Sequence, residues 1–491
     1  MRFRRPEILS NEELNTLYLT ALELLENVGV QIQHDETVQL LKNNGCEMGA
    51  HRVVYFPEML VKDSLTSLPR QVTLCGRDPK HDMRIGRGEH TYVGPQFPSF
   101  IIDHPNKTHR YMTLKDLEMA VEVSDYLKNI EWVMSFPAGP GVGYGVWDAY
   151  ANYEVAVSNT TKHVCISGHQ TANTVDPTLK LAAAVVGSEE ELRKRPITSL
   201  AQCPTSPLIW GKNGCEVLQA AAKWSTPTLV ACEDMMGAVS PVTIAGNLAQ
   251  KIAEFLSTNV ILQLWNRGTP VIFYPVPEGF DMRTGQVTFA GPAVFALQYA
   301  YGQIGRYLNV PTATIIASDS NVGDMQMAYE NSYGFLSAML AGLDLVTGVV
   351  QLEESRACMI EVLPLLDEMA SAAHRIIEGI DVTPETLAVD IVKRVCDKIE
   401  EPSGLRSGFF ISEKHTLQWY EREQRPRRDW AIDKNKREKW VRLGSKCYLD
   451  RAKELTGEIF EKHEVAPLSE GVRERMIEIR KAYGIKPESE A

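Results

Sequence analysis

Short apolar runs and longer amphipathic stretches alternate along the middle of the chain, from residue 130 to residue 380. The short runs are rich in β-branched residues and carry few charges, as strands of a buried parallel sheet do. Seven of them are predicted as strands: WVMSFP (132–137), HVCISG (163–168), ITSLAQCP (197–204), TLVACED (228–234), PVIFYP (270–275), ATIIASD (313–319) and LVTGVV (345–350). The amphipathic stretches predict helices near 147–160, 175–186, 213–225, 242–258, 291–308, 324–341 and 364–379.

This repeat has a period of roughly 30 to 40 residues, which favours a closed TIM-type (β/α)8 barrel over an open doubly wound sheet. The barrel is expected to span 91–380, with either TYVG near 91–94 or CMIEV near 358–362 as its eighth strand. No G-x-G-x-x-G follows a predicted strand in a helix context, which further weakens the alternative of a dinucleotide-binding sheet.

The flanking segments differ from the barrel in pattern. Residues 1–90 open with a helix whose capping box is Ser10 with Glu13 and whose end is marked by Gly29, and two short strand-like pieces follow, so an N-terminal α+β cap is predicted. Residues 381–491 are polar and helical and are expected to pack on the barrel as a C-terminal extension. The charged run at 421–442 is either a solvated helical face or a docking surface for an acidic partner.

Composition narrows the class of protein. An apolar fraction of 44% and a charged fraction of 23% are ordinary for a globular enzyme, and a net charge of −12 argues against binding to nucleic acid. The nine cysteines form no C-x-x-C pair, so we expect reduced and mostly buried thiols. The sequence shows neither a signal peptide nor an apolar run long enough to span a membrane, which predicts a cytoplasmic protein.

If the barrel is right, the active site lies at the carboxyl ends of its strands. The residues there are Pro137 and Ala138, His169, Cys203 to Pro207, Glu233 and Asp234, Tyr274 to Phe280, Asp319 to Asn321, and Gln351. They include no histidine pair with metal-ligand spacing and no H-E-x-x-H, so no metal site is predicted, and no Gly-x-Ser-x-Gly elbow is present.

Aromatic and acidic residues lie near several of these strand ends, and together they suit a methylated ammonium ion. Such an ion has no hydrogen to donate and is attracted by aromatic faces and by negative charge. The predicted substrate-binding residues are Tyr92, Phe97, Trp147, Tyr150, Glu233, Phe273, Tyr274 and Arg283. Asp319 and Glu330 are the predicted catalytic acids, although helix capping for Asp319 and buried hydrogen bonding for Glu330 stay open as alternatives. For each aromatic residue, ordinary core packing is the alternative.

Several ordered motifs resemble the trimethylamine methyltransferase family in its version without pyrrolysine. They are GRDP (76–79), NTTKH (159–163), PTSPL (204–208), GAVSPVTIAGNLA (237–249), GTPVIFYP (268–275), DMRTG (281–285), SDSNVGDMQMAYE (318–330) and the HT pair at 415–416. They run through most of the chain. The resemblance independently implies a TIM-type barrel.

The resemblance also implies a methyl transfer from a small methylated amine to the Co(I) corrinoid of a cognate partner protein. The chain itself is expected to bind no cofactor, since a D-x-H-x-x-G cobalamin motif is absent, and to form a homo-oligomer. Family members with pyrrolysine use trimethylamine, whereas relatives without it use quaternary amines such as glycine betaine, proline betaine, carnitine or γ-butyrobetaine. All 491 residues here are standard, so a quaternary amine is favoured.

The sequence departs from the family pattern at Ala293, where an acid is expected, and at Asn321. Either change can retune the substrate. A substrate that carries a carboxylate would have Arg283 and Arg306 as candidate partners, with a surface salt bridge as the alternative role. Two other functions stay open: a methyltransferase of the same fold with a tertiary amine or another donor, and a protein that binds a methylated amine without turnover.

Overall fold

The structure is a computed structural model that describes residues 5–103, 108–135, 146–167, 171–424 and 431–485. His169, Pro137 and Ala138, which the sequence placed at strand ends, lie outside these ranges. All seven predicted strands are present, and each is shorter than its apolar run. TYVG provides the eighth strand, and CMIEV does not. Ala357–Cys358 lies instead in a short four-stranded sheet that is separate from the two parallel sheets.

Eight parallel strands, here β1 to β8, are each followed by a helix, here α1 to α8. The strands are β1 (Tyr92–Val93), β2 (Trp132–Ser135), β3 (His163–Ile166), β4 (Thr198–Gln202), β5 (Thr228–Cys232), β6 (Val271–Pro275), β7 (Ala313–Ile315) and β8 (Leu345–Thr347). The helices are α1 (Leu114–Tyr126), α2 (Val146–Ser158), α3 (Ala172–Val186), α4 (Lys212–Trp224), α5 (Ile244–Trp265), α6 (Pro292–Leu308), α7 (Met325–Ala341) and α8 (Leu363–Ile377).

The strands pair in sequence order within two parallel sheets. One sheet runs from β2 to β6, and the other has the order β7, β8, β1. Isolated parallel bridges join the sheets on both sides, between Phe273 and Thr312 and between Gln96 and Met134. Backbone hydrogen bonds support both bridges: Phe273 N–H donates to Pro311 O at 2.9 Å, and Met134 N–H donates to Pro95 O at 2.9 Å.

Alternate residues of each strand face two separate cores, as the period of two requires. Val230, Val271 and Phe273 belong to the large core between the strands and the surrounding helices. Leu229, Ile272 and Tyr274 belong to a smaller core between the strands, and a hairpin of Val72–Leu74 with Met83–Ile85 packs into it. Both faces of each strand are therefore buried, which explains why the runs read as continuously apolar.

The N-terminal segment has the predicted helix and capping box. Helix Asn11–Glu23 begins at Ser10, whose hydroxyl accepts from Glu13 N–H, and after one π turn the chain leaves the helix at Gly29 with a φ of 76°. The remaining elements are helices Asp35–Asn43 and Glu58–Thr66 and a small sheet of Val30–Ile32, Glu47–Met48, Val53–Tyr55 and Ile209–Trp210.

Short elements decorate the carboxyl ends of the strands, and helices follow α8. A hairpin of Gly279–Asp281 with Gln286–Thr288 lies beside β6, and Phe100–Asp103, Thr108–Tyr111, Gln351–Leu352 and Ala357–Cys358 form a second small sheet. The C-terminal helices are Pro384–Leu387, Val389–Cys396, Lys414–Gln424, Arg437–Arg442, Tyr448–Lys462 and Glu470–Ala482. Across the described ranges, we find no helix with the length and apolarity needed to cross a membrane.

Candidate active site

A cavity of about 280 Å³ opens at the carboxyl ends of the parallel strands. Glu233 enters it directly after β5, Tyr274 from the end of β6, and Gln351 from the segment after β8. Its other lining residues are Gln96, Pro98, Ser99, Phe100, Val276, Glu278, Phe289, Ile315, Ser355 and Arg356. The cavity therefore combines two acids, three aromatic rings and a few hydrogen-bonding groups in one small volume.

The two acids define the electrostatics of this cavity. Glu278 is only 7% exposed, and burial raises its pKa to about 8, helped by the nearby charges of Glu233 and Asp234 and opposed by Lys251. The Glu233 side chain is open to the cavity but otherwise surrounded by protein, and burial raises its pKa as well. Two acids whose negative charges oppose each other form a favourable site for a cation, because a bound cation relieves their repulsion.

Tyr274 supplies an aromatic face beside the acids. It is 3% exposed, and burial raises the pKa of its phenol well above the usual range, so the ring stays neutral. Phe289 and Phe100 line the same cavity. Aromatic faces next to carboxylates attract an ammonium ion that carries no hydrogen-bond donor.

A buried ion pair lies behind the acids. Lys251 of α5 and Asp234 are both fully buried; Lys251 Nζ contacts Asp234 Oδ1 and donates to Cys232 O at 2.9 Å. Burial disfavours the charge on Lys251, but the carboxylates of Asp234 and Glu278 outweigh it and raise the pKa of the ammonium. This fixed positive charge opposes the rise in pKa of Glu233 and Glu278, and Arg356 adds a second positive charge in the lining of the cavity.

The two cysteines at the carboxyl ends of β4 and β5 are poor candidates for a nucleophile. Cys203 lies one residue past β4, and burial together with the charge of Glu233 raises its pKa well above the usual value. Cys232, at the end of β5, is buried and its pKa is raised likewise. Both thiols are therefore neutral and weakly nucleophilic near pH 7.

Asp319, predicted as a catalytic acid, holds a loop in place. Its carboxylate accepts hydrogen bonds from the Thr288 hydroxyl and from Phe289 N–H at 2.8 Å, which fastens the hairpin 279–288 to the end of β7. It lines a neighbouring cavity of about 540 Å³ rather than the one that holds Glu233. Burial raises its pKa.

Glu330, the second predicted catalytic acid, is occupied by hydrogen bonds within the protein. It accepts from the Ser318 hydroxyl at 2.6 Å, from Asp319 N–H at 2.9 Å and from Gln326 Nε2 at 2.9 Å. It borders neither cavity. The alternative of a buried hydrogen-bonding partner is the one that the geometry supports.

Arg283 and Ala293 both line the larger cavity, whereas Arg306 does not. The Arg283 side chain is 90% exposed and pairs with Asp281, with Nε and Oδ1 3.4 Å apart. Arg306 donates to Ala341 O at 2.6 Å, away from both cavities. Asn321 is exposed.

The structure places five of the six predicted aromatic residues outside this cavity. Phe273 points away from the cavity and packs on Phe255 and Tyr301 of the surrounding helices, with ring centroids 5.0 and 6.4 Å away. Phe97 is fully buried in the same outer core. The remaining three are Tyr92, Trp147 and Tyr150.

The last three contact distant segments. The Tyr150 hydroxyl donates to Met476 O at 2.6 Å, and Trp147 lies against Arg480 at 5.9 Å, so both pack on the C-terminal helix 470–482. The Tyr92 hydroxyl accepts from Arg84 N–H at 3.2 Å, near the amino ends of the strands. Of the predicted substrate-binding residues, Glu233 and Tyr274 share the smaller cavity.

Glu278 and Phe289 were missed as individual site residues. Glu278 falls inside the strand-end range 274–280 that the sequence placed at the site, without being named there as a substrate-binding residue. Phe289 lies four residues before Ala293, the position at which the sequence departs from the family pattern. The available signal was the acid in VPEG three residues after an apolar strand.

One group of possible metal ligands exists among the described residues, at the opposite end of the strands. Ligand atoms of His90, Glu131 and His374 lie within 4.8 Å of one another. His90 Nε2 is already 2.8 Å from Glu131 Oε1, and His374 Nε2 is 3.0 Å from Thr91 O. An ion would have to displace these hydrogen bonds, and it would lie far from Glu233 and Glu278.

Comparison with known proteins gives a consistent result over the whole chain. The family model described as trimethylamine methyltransferase (MTTB) matches residues 1–483. Trimethylamine methyltransferase MttB of Desulfitobacterium hafniense is 31% identical over 97% of this chain and 94% of its own length. Glycine betaine methyltransferase of the same species is 24% identical over 85% of each chain. Among solved structures, monomethylamine methyltransferase of Methanosarcina barkeri covers 96% of this chain and 93% of its own, with 12% identity and a TM-score of 0.46.

Proposed function

We propose, because the chain belongs to the trimethylamine methyltransferase family, that it moves a methyl group from a small quaternary amine to the Co(I) corrinoid of a separate partner protein. The observation that supports a methylated ammonium ion as substrate is the cavity in which Glu233, Glu278 and Tyr274 meet. The preference for a quaternary ion rests on the sequence, in which all 491 residues are standard. The corrinoid, when its protein docks over the strand ends, supplies the nucleophile.

The chemistry of a quaternary amine matches what this chain offers. The nitrogen already carries a full positive charge and leaves as a neutral amine when its methyl is attacked, so no proton donor or metal has to assist its departure. What remains for the enzyme is to position the methyl and to keep water from the cation. A small cavity lined by two acids and three rings holds the cation in position, and the rings displace water from its methyl groups.

We assign the side chains as follows. Glu233 and Glu278 hold the cation, and Tyr274 with Phe289 encloses its methyl groups. Asp319 is a positioning residue, because it acts through the hairpin that carries Phe289. A carboxylate on the substrate would face Arg356, which lines the same cavity, rather than Arg306.

The fold supports the same proposal. The pairing order β2 to β6 and β7, β8, β1, together with the two bridges between the sheets, supports a closed TIM-type barrel whose mouth is the cavity. We divide the chain into a cap at 1–90, the barrel at 91–380 and a C-terminal extension at 381–491. The cap hairpin 72–85 then closes the end of the barrel opposite the mouth.

A tertiary amine is the second candidate, since the relative with 31% identity is a trimethylamine methyltransferase. Trimethylamine is protonated in water, so it would enter the cavity as a cation with one N–H to donate. A carboxylate such as that of Glu278 could accept a hydrogen bond from this N–H, while the proton stays on the nitrogen so that dimethylamine leaves as a neutral molecule. The two candidate substrates would therefore bind to the same acids, and they differ in whether the nitrogen carries a proton.

The test is a methyl-transfer assay with the purified chain and its cognate corrinoid protein reduced to Co(I). The donors are glycine betaine, proline betaine, carnitine, γ-butyrobetaine and trimethylamine, and the readout is loss of the Co(I) absorbance together with the demethylated amine. Turnover with one quaternary amine supports the proposal, and turnover with trimethylamine alone selects the second candidate. Tight amine binding without turnover, while a control enzyme reacts, would show a binding protein instead.

A further inference from the structure

Residues 380–424, which we call the arm, follow α8 and form almost no buried core of their own. The arm contains helices Pro384–Leu387 and Val389–Cys396, a hairpin of Ile399–Glu400 with Leu405–Arg406, and helix Lys414–Gln424. All its residues are described by the structure, and only Val395 and Glu413 among them are buried. The hairpin strands pair only with each other, and an isolated two-stranded hairpin is marginally stable in water.

The arm carries a concentration of exposed apolar side chains. It accounts for 12 of the 31 large apolar residues that are exposed in the described parts of the chain. They are Ile380, Val382, Leu387, Val389, Val392, Ile399, Leu405, Phe409, Phe410, Ile411, Leu417 and Tyr420. Phe409 is 71% exposed and Ile411 82%. So many exposed side chains in 45 residues indicate a surface that another molecule covers.

Polar contacts hold the arm in place. Arg422 pairs with Asp381, which ties the two ends of the arm together, and Arg375 of α8 pairs with Glu423 near the end of the arm. Arg394 Nη2 donates to Glu413 at 2.8 Å within it. The arm is thus shaped by ion pairs while its apolar side chains face outward.

The location of the arm argues against the corrinoid protein as its partner. It begins where α8 ends, and His374 in the last turn of α8 lies 3.0 Å from Thr91 O, just before the start of β1. The arm therefore starts at the amino ends of the strands. The cavity with Glu233 and Glu278 lies at the carboxyl ends, where a methyl acceptor has to approach.

The charge of the arm argues against a membrane. It has nine acidic and six basic residues, whereas surfaces that bind anionic lipid carry an excess of Lys and Arg. Both signs occur along its length, so two identical arms in an isologous contact can pair acidic with basic side chains.

The area fits a contact between two copies. Twelve apolar residues, each at least 43% exposed, offer on the order of 1,000 Å², and a stable interface buries about 800 Å² on each partner. We infer that the arm, residues 380–424, is the surface through which a second copy of this chain binds. This inference goes beyond the methyl transfer and does not depend on it.

The experiment measures the mass of the full chain in solution by light scattering or sedimentation at micromolar concentration. The wild-type chain is expected at a multiple of 54.9 kDa, and the double variant Phe409→Asp/Ile411→Asp at 54.9 kDa. The control is Met59→Asp, which likewise replaces an exposed apolar residue by an acid, at a position 77% exposed in the cap, and is expected to keep the wild-type mass.

A second measurement tests the inference on the wild-type chain alone, in case the double variant fails to fold. Hydrogen exchange of the wild-type chain is followed at two concentrations, and the amides of 380–424 are expected to be protected more strongly at the higher one. A wild-type monomer, a double variant that folds and keeps the wild-type mass, or exchange in the arm that does not change with concentration would each overturn the inference. Amine binding is expected to be unchanged in the double variant, because the cavity lies at the other end of the strands.

Discussion

Replacing Glu278 by Gln is expected to remove most of the pH dependence of amine binding between pH 6 and pH 8. In the free protein the pKa of Glu278 is raised to about 8, so the group is mostly neutral near pH 7. A quaternary ammonium binds the ionised form better, because only a carboxylate offers it a full negative charge. Cation binding and loss of the Glu278 proton are therefore linked.

The size of the effect follows from the populations. With a pKa of about 8, the ionised form makes up about 1% of the free protein at pH 6 and about half at pH 8. If only this form binds, affinity rises roughly 50-fold over this range, about 2.3 kcal/mol, and levels off above pH 8. Binding near pH 7 should then release close to one proton. Glycine betaine and carnitine do not themselves titrate here.

Isothermal titration calorimetry measures both quantities, with the affinity taken at each pH and the proton release from buffers of different ionisation enthalpy. The amine is the one that gives turnover. Glu278→Gln should bind it with an affinity that barely changes with pH, whereas Glu190→Gln, at a 75% exposed position on a distant helix, should behave as the wild type. A wild-type affinity that is flat from pH 6 to pH 8, with no proton released, would refute the reasoning.

Three further expectations concern the residues around Glu278. Tyr274→Ala should weaken amine binding by about 1–2 kcal/mol, and Tyr274→Phe should leave it unchanged. Phe273→Ala should lower the unfolding free energy by about 3–5 kcal/mol and leave the amine affinity of the folded protein unchanged. Equal losses of affinity at 273 and 274 would contradict the assignment of the two residues to opposite faces of β6. Lys251→Met should cost about 3–5 kcal/mol in urea denaturation because it leaves Asp234 buried without its partner, and adding Asp234→Asn should restore part of the loss. Since the folded-state pKa of Glu278 is raised from 4.5 to about 8, its contribution to stability is complete below pH 4.5 and is lost as pH rises through 8; between pH 7 and pH 9 the wild type should lose about 1 kcal/mol more than Glu278→Gln, which denaturant titration can check.

The sequence predicts the order of strands and helices well, because that order depends on local periodicity. Helix α6, for instance, was expected near 291–308 and is found at Pro292–Leu308. The direction of side chains within a strand is a different matter. Phe273 and Tyr274 are neighbours in a strand whose two faces are both buried, so no polar residue marks which one points inward.

Contacts between segments that are far apart in the chain also could not be predicted from the sequence. Trp147 and Tyr150 lie on α2 close behind a predicted strand end, which suggested the site. Helix 470–482, more than 300 residues later, covers that face of α2 and receives both side chains. Nothing in the pattern of α2 itself distinguishes a face that meets this helix from a face that meets a substrate.

The two acids of the cavity, Glu233 and Glu278, could be predicted in part: their approach to each other follows from strand order, and the direction of their side chains does not. Strands that follow one another in a barrel are neighbours in space, so the residues just after β5 and just after β6 have to approach each other. Glu233 is the first residue after β5, and Glu278 is the third after β6. A pair of acids in these positions predicts a site of concentrated negative charge from strand order alone, provided that both side chains turn inward. That inward turn is the part that required the structure, and the expected release of a proton on cation binding is its direct consequence.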